Sequence, residues 1–173
     1  MLTQERLKEL LKYNPETGIF TRLKSRGNTK AGDYCSTKDN KGYYQIKIDN
    51  RLYKSHQLAW LYIYGNLSEN HIDHIDRNPS NNSIINLREA SCVENQRNSG
   101  IRKNNTSGFK CVSWHKGISR WNVRTRNKGT EIFLGTFHLL MLPLAAKTYD
   151  DYAKANHGEF YSPSVIRAMK GTK

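Results

Sequence analysis

Hydrophobic positions along this chain come in short clusters whose spacing changes from one stretch to the next. Leu7, Leu10 and Leu11 fall on one helix face behind Thr3, a residue able to cap the helix, and Asn14-Pro15 closes the pattern. Ile19-Phe20-Thr21, after a Glu-Thr-Gly turn, predicts a short strand. The polar stretch from Ser25 to Asp39 predicts a solvated loop. Between Gly42 and Tyr53 the pattern alternates: Tyr44, Ile46 and Ile48 against Tyr43, Gln45 and Lys47. Asp49-Asn50 then supplies a hairpin turn into Arg51-Leu52-Tyr53. Ser55 predicts the cap of a helix through Leu58, Ala59, Leu61 and Tyr62, stopped by Gly65.

The chemistry concentrates in residues 71–97. A short alternating run carries Asp73 and His74, an Asx/Pro/Ser-rich loop runs from Asp76 to Ser83, and Ile84-Ile85-Asn86-Leu87 reads as a second strand. Ser91-x-x-Glu94 then announces a helix. A hairpin can set His74 opposite Asn86, and a helix packed on it can bring Asn95 over Asp73. A carboxylate and an amide oxygen suit a hard divalent cation, and a neutral imidazole beside them suits a general base. Adjacent strand residues point to opposite faces, so Asp73 and His74 share a site only if that strand end is twisted or bulged. Asp76 and Asn82 fit loop-bracing Asx turns at least as well as metal ligation.

The Asp-His dipeptide, the Asn-Asn-x-x-x-Asn-Leu segment and the Glu-Asn of the following helix resemble an HNH endonuclease of the ββα-metal fold, homing-type, over about residues 56–98. The resemblance implies His74 as the general base, Asn86 as the motif asparagine that orients it, and Asp73 and Asn95 as the metal ligands. Asn95 stands where many relatives carry a histidine, which favours Mg²⁺ with Mn²⁺ as a substitute. Arg88 and Arg97 are candidate phosphate clamps beside that site.

Charge adds a partner. Twenty-eight Lys+Arg against 15 Asp+Glu give a net charge of +13, the footprint of a polyanion binder, with double-stranded DNA the leading candidate. No acidic residue occurs between Asn95 and Thr130, where Arg97, Arg102, Lys103, Lys110, Lys116, Arg120, Arg124, Arg126 and Lys128 accumulate. A run this one-sided predicts a phosphate track. Cys35, Cys92 and Cys111 are odd in number and lack Cys-x-x-Cys spacing, against a zinc site or a disulfide framework. No apolar run approaches membrane-spanning length and no signal-peptide core is evident, so the expectation is a cytoplasmic, DNA-associated protein.

From Gly108 the segments Gly-Phe-Lys-Cys-Val-Ser-Trp-His-Lys, Arg-Trp-Asn-Val-Arg-Thr-Arg, Phe-Leu-Gly-Thr-Phe and Ala-Ala-Lys-Thr-Tyr-Asp-Asp-Tyr-Ala are similar to the DNA-binding domain of plant ethylene-response factors. That resemblance implies a three-stranded antiparallel sheet with a helix on one face and DNA on the other. Alternation puts Val112, Val123 and Thr125 toward the helix and Ser113, His115, Asn122, Arg124 and Arg126 outward. Arg and Asn are the residue types that read guanine and adenine edges with two hydrogen bonds. Trp114 and Trp121 are expected to be structural. The helix should start near Pro143; Leu139-Leu140-Met141-Leu142 departs from the family's polar residues there and suggests an extra apolar contact.

The expectation is therefore an α+β, modular, metal-dependent endonuclease for double-stranded DNA. It assigns residues 1–98 to the nuclease and its bracing hairpin, 99–107 to a basic linker, 108–161 to the DNA-binding sheet and 162–173 to a tail. It acts as a monomer or weak dimer with no obligate protein partner, and a single site should nick. The competing reading is a non-catalytic, sequence-specific DNA-binding regulator.

Overall fold

The computed structural model describes residues 2–25, 27–127 and 129–164. Met1, Arg26, Lys128 and most of the expected tail, 165–173, lie outside the described residues. The chain is α+β and divides into two compact units, residues 1–92 and 93–173, each with its own apolar core. The division falls at the third helix, inside the stretch expected to be the nuclease module.

In the first unit α1 is Gln4–Leu10, capped by the Thr3 hydroxyl, which accepts from the Arg6 N–H. The helix was expected to run on through Leu11 to Asn14; instead Leu11–Asn14 is strand β1, paired antiparallel with β2, Ile19–Arg22. Leu11 lies four residues from Leu7 and so fits a helix pattern, but Leu-Lys-Tyr-Asn also alternates, and pairing with Ile19–Arg22 buries Leu11 and Tyr13. Tertiary pairing overrides the local period.

Strands β3 (Thr37–Lys38), β4 (Tyr44–Ile48) and β5 (Arg51–Lys54) form an antiparallel sheet in that order. Asp49 and Asn50 both take positive φ, 43° and 64°, as a two-residue hairpin requires. Ile46 and Ile48 are buried as the alternation predicts. Helix α2 is Ser55–Tyr64, and its C-cap Gly65 is left-handed at φ 82°, its N–H returning to the Leu61 carbonyl. Ser55 is not the cap: Lys54 holds that position, and the Ser55 side chain is buried inside the first turn. Leu58, Ala59 and Leu61 of α2 meet Leu7, Leu11, Phe20, Ile46 and Leu87 in one core.

Strand β6 (His71–His74) pairs antiparallel with β7 (Leu87–Ala90), and a 3₁₀ turn at Ile84–Asn86 precedes β7. The expected second strand therefore starts three residues later than its apolar residues suggested. Helix α3 is Cys92–Asn98.

The second unit is a three-stranded antiparallel sheet, β8 (Val112–His115), β9 (Arg120–Asn127) and β10 (Thr130–Phe137), with β9 central and α4 (Leu142–His157) packed on it. Pro143 sits in the first turn of α4, where its missing N–H costs nothing. Val112, Val123, Ala145, Tyr149 and Ala153 form the core. Leu139–Met141 makes a 3₁₀ turn with exposed side chains, whose backbone carbonyl at Leu139 accepts the Trp121 indole N–H at 3.0 Å. Trp114 and Trp121 stack edge to face, centroids 4.8 Å apart, both half-buried.

Candidate active site

β6 and β7 keep a regular register, His71–Ala90, Ile72–Glu89, Asp73–Arg88 and His74–Leu87, with no bulge. Consecutive side chains on β6 therefore point to opposite faces. Asp73 and His74 are nonetheless both buried, at 7% and 5% exposure. Each is held by its own partners.

The Asp73 carboxylate meets Arg88 across the strand pair. Arg88 Nε and Nη2 both donate to Oδ2 at 3.1 Å, and neither side chain is more than 12% exposed. Arg88, expected to clamp phosphate, thus orients the carboxylate expected to hold the cation.

His74 is held on another side. Its Nε2 lies 3.2 Å from Oδ1 of Asn82, a side chain only 2% exposed. The Asn82 amide nitrogen donates to the Ser80 carbonyl at 3.4 Å, and an amide nitrogen cannot accept. Asn82 therefore presents oxygen to the ring, and Nε2 carries the proton. In the neutral imidazole the lone pair is then on Nδ1. The His74 ring also lies against His56 of α2 (centroids 5.0 Å apart, edge to face) and Tyr43 (5.9 Å). Burial pushes the His74 pKa below its ordinary value, opposed by the Asn82 hydrogen bond and the charges of Asp76 and Asp73. Burial, with the neighbouring His74 and Lys54, pushes His56 down to about 3.

Asn82 is itself fixed by the amino-terminal hairpin. The Tyr13 hydroxyl donates to the Asn82 carbonyl at 2.7 Å in a buried bond. Gly18, at φ +72°, packs so close that an added Cβ would lie 2.3 Å from the Asn82 carbonyl carbon. Ser83 joins the same seam, its hydroxyl donating to the Pro15 carbonyl at 3.0 Å.

Asn86 stands one step beyond the expected register. His74 faces Leu87, and Asn86 uses its carbonyl to accept the Ile75 N–H at 2.9 Å. Its side chain braces the loop: Oδ1 accepts the Asp76 N–H at 3.0 Å, and Nδ2 donates to Asp76 Oδ1 (3.0 Å) and the Asn81 carbonyl (2.8 Å). Burial raises the Asp76 pKa, but hydrogen bonds from Asn81, the Asn78 N–H and Asn86 outweigh it and hold the carboxyl below its ordinary value. Asp76 is an Asx brace. The residue touching the His74 ring is Asn82, which sequence reasoning assigned to the loop; its only signal was adjacency to Asn81 in the Asn-Asn pair.

Asn95 and Arg97 fall in the second unit, both half-buried on α3. Arg97 Nη2 donates to Asn127 Oδ1 at 2.8 Å. Among the described residues no three His, Cys, Asp or Glu side chains gather as a metal-ligand cluster. The expected donors are each hard oxygen groups of the kind a magnesium-type cation takes, the Asp73 carboxylate in the first unit and the Asn95 amide in the second.

On the second unit Arg102, Lys103, Ser113, His115, Lys116, Arg120, Arg124 and Arg126 are all exposed. Arg124 pairs with Glu131 at 3.2 Å and lies over the Phe133 ring at 5.6 Å. Asn122 was expected among them and is not: it is 5% exposed, and its Oδ1 accepts the Thr136 hydroxyl at 3.1 Å. Alternation assigned its face correctly but not the neighbouring strand that covers it. No helix among the described residues is long and apolar enough to cross a membrane.

The comparisons with known proteins fall on this site. The model of a family described as HNH endonuclease matches residues 53–97, so that span carries an HNH endonuclease domain. Protein 3.8 of Escherichia phage T7 is 43% identical over 61 residues, 35% of this chain and 50% of that protein. The chain thus spans about half the length of that relative. No solved structure matches. The family match stops at Arg97, and none of the comparisons supports the ethylene-response-factor resemblance of residues 108–161.

Proposed function

We propose that the protein is a divalent-metal-dependent endonuclease that hydrolyses phosphodiester bonds in double-stranded DNA. The observation that carries this reading is a buried histidine in a matched HNH span, its pKa pushed below the ordinary value by burial and its Nε2 3.2 Å from the Asn82 amide oxygen. His74 takes a proton from water through Nδ1 as the water attacks phosphorus. Asn82 keeps the ring in the tautomer that permits this, while Asn86 and Asp76 hold the loop that carries Asn82. Asp73 is the residue of the first unit to hold Mg²⁺, and Arg88 orients its carboxylate for it. The bound ion would supply charge stabilisation at the scissile phosphate and the leaving oxygen.

The exposed basic residues of the second unit would hold the duplex, Lys103, Arg102, Lys116 and Arg120 on phosphates and Ser113, His115, Arg124 and Arg126 at base edges, in the manner of the ethylene-response-factor domain. Asn122 is withdrawn from that set by its burial. One HNH site cuts one strand, so a monomer nicks; homing-type action would follow from a long recognition track.

The ion pair between Arg88 and Asp73 favours a second reading, because a carboxylate already paired is a weaker cation ligand. On that reading the protein is a DNA-binding regulator with an idle hairpin. Supercoiled plasmid incubated with Mg²⁺ separates them. The nuclease converts it to the nicked form, a chelator stops this, and His74→Ala abolishes it while duplex affinity is retained. Intact plasmid under all conditions would leave the regulator.

A further inference from the structure

Apart from the hairpin site, the second unit contains an open cavity of about 560 Å³. It lies where β8 begins, beside the part of β9 (Arg124 to Asn127) that β8 does not pair. Arg97, Arg102, Lys110, Arg124 and Arg126 line it, and its acid, Glu131, is already paired with Arg124. Such a wall holds a large surplus of positive charge in a concave, partly desolvated space, which favours an anion.

A second observation concerns His157, the last residue of α4, which also lines the cavity. It is 5% exposed, and neither ring nitrogen has a hydrogen-bond partner among the described residues. Arg97 is in a related state. Its Nη2 is anchored on Asn127, while its buried Nε has no hydrogen-bond partner among the described residues. The Lys110 ammonium donates to the Arg97 and Ser99 carbonyls, which holds the strap that bears Arg97 against the sheet. Leaving buried donors unmet is costly, so a native site of this kind is expected to have an occupant. Burial, then Arg97 and Lys110, push His157 down to about 4, leaving it neutral at pH 7 with one N–H to donate.

We propose that this cavity is a phosphate-binding site, in which Arg97 Nε and the His157 ring donate to a phosphoryl oxygen and Arg102 and Arg126 neutralise its charge. A tetrahedral oxyanion accepts from several directions at once, and guanidinium groups match it with paired donors. Val112 and Tyr149, both core residues, also border the cavity. The phosphoryl group can come from a free nucleotide or from a DNA strand. The proposal does not rest on the nuclease reading, and cleavage is not its readout.

The test titrates inorganic phosphate into the full chain at constant ionic strength, reading heat and the ¹⁵N resonances of the His157 ring. Saturable one-site binding that moves the His157 resonances is expected. His157→Gln and Arg97→Gln should each weaken it about ten-fold or more. Arg102→Ala, at an exposed position, gives a variant whose fold is not at risk and should weaken it by a smaller factor. Competition with a short duplex then tells the source. Phosphate displaced by DNA makes the cavity part of the duplex track; phosphate and DNA bound together make it a site for a free nucleotide. Absence of saturable binding to the wild type, or equal binding by all three variants and the wild type, overturns the proposal.

Discussion

Replacing Asn82 tests the assignment of the His74 proton more sharply than replacing His74 itself. Asn82→Ala removes the acceptor 3.2 Å from Nε2 and leaves a buried N–H without a partner. The lost constraint is worth about 1.4–3 kcal/mol, so single-turnover cleavage should fall about ten- to a hundred-fold at every pH. Asn82→Asp keeps the shape and adds a charge. At 3.2 Å and an effective dielectric of about 20, attraction to an imidazolium is about 5 kcal/mol. Desolvation of the pair offsets part of this, leaving a net rise in the His74 pKa.

A histidine at the ordinary 6.5 is about three quarters neutral at pH 7, and the buried His74 more so. A carboxylate at residue 82 moves the His74 pKa upward, so Asn82→Asp should lose rate at pH 7 and recover it as the pH is raised. The assay is single-turnover cleavage of pre-bound duplex at saturating Mg²⁺, as a function of pH. A purely structural asparagine would give two variants with the same pH profile. An acidic limb that does not move upward in Asn82→Asp would show that Nε2 does not face residue 82.

Gly18→Ala should destabilise the first unit by about 2–5 kcal/mol in urea unfolding, from a positive-φ penalty of about 1–2 and a backbone overlap of about 1–3. Wild-type stability in that variant would mean the hairpin does not press on Asn82, where the added Cβ is placed at 2.3 Å. Stability should also fall with pH through His56: its folded pKa of about 3 is depressed, so the stabilisation is complete above about pH 6.5 and lost as pH falls toward 3. The slope is about 1.4 kcal/mol per pH unit for one such histidine, and His56→Gln should flatten the wild-type difference between pH 7.5 and 5. On the second unit, Lys103→Ala should weaken all duplexes alike and reduce the salt slope by about one, whereas Arg124→Ala should cost about 1–3 kcal/mol at one base pair. Equal losses on cognate and random DNA for both would reduce the sheet to a phosphate grip.

What the sequence revealed and what it hid follow from how local each signal is. The hairpin at Asp49-Asn50, the stop at Gly65 and the start of α4 at Pro143 rest on single-residue backbone preferences and read directly. Strand β1 did not, because Leu11 satisfies both a helical and an alternating pattern and only its partner at Ile19–Arg22 decides. The asparagines of residues 78–86 were the hardest. Each can brace a turn, and their sequence is silent on which one turns inward. A difference of one register step, His74 against Leu87, removes Asn86 from the ring, and Asn82 takes the position.

That substitution of one asparagine for another gives the amino-terminal hairpin a role beyond a generic brace. Of the two loop asparagines, Asn86 is secured from within the loop, by Asp76 and Asn81. Asn82 is secured from outside it, by Tyr13 and by the backbone contact at Gly18. Tyr13 also packs on Phe20 and Tyr62, at 4.7 and 5.6 Å between ring centroids, so its hydroxyl cannot swing away without disturbing the core. The bond from Tyr13 to Asn82 is therefore one place where core packing reaches the candidate base, beside the direct ring contact of His56. Tyr13→Phe leaves the rings in place and removes one hydroxyl. It should cost about 1 kcal/mol of stability and lower cleavage in the same direction as Asn82→Ala, with the pH profile unmoved. Combined with Asn82→Ala it should add little further loss of rate, because both changes act on one chain of contacts. Full additivity of the two rate effects would separate the hairpin from the catalytic ring.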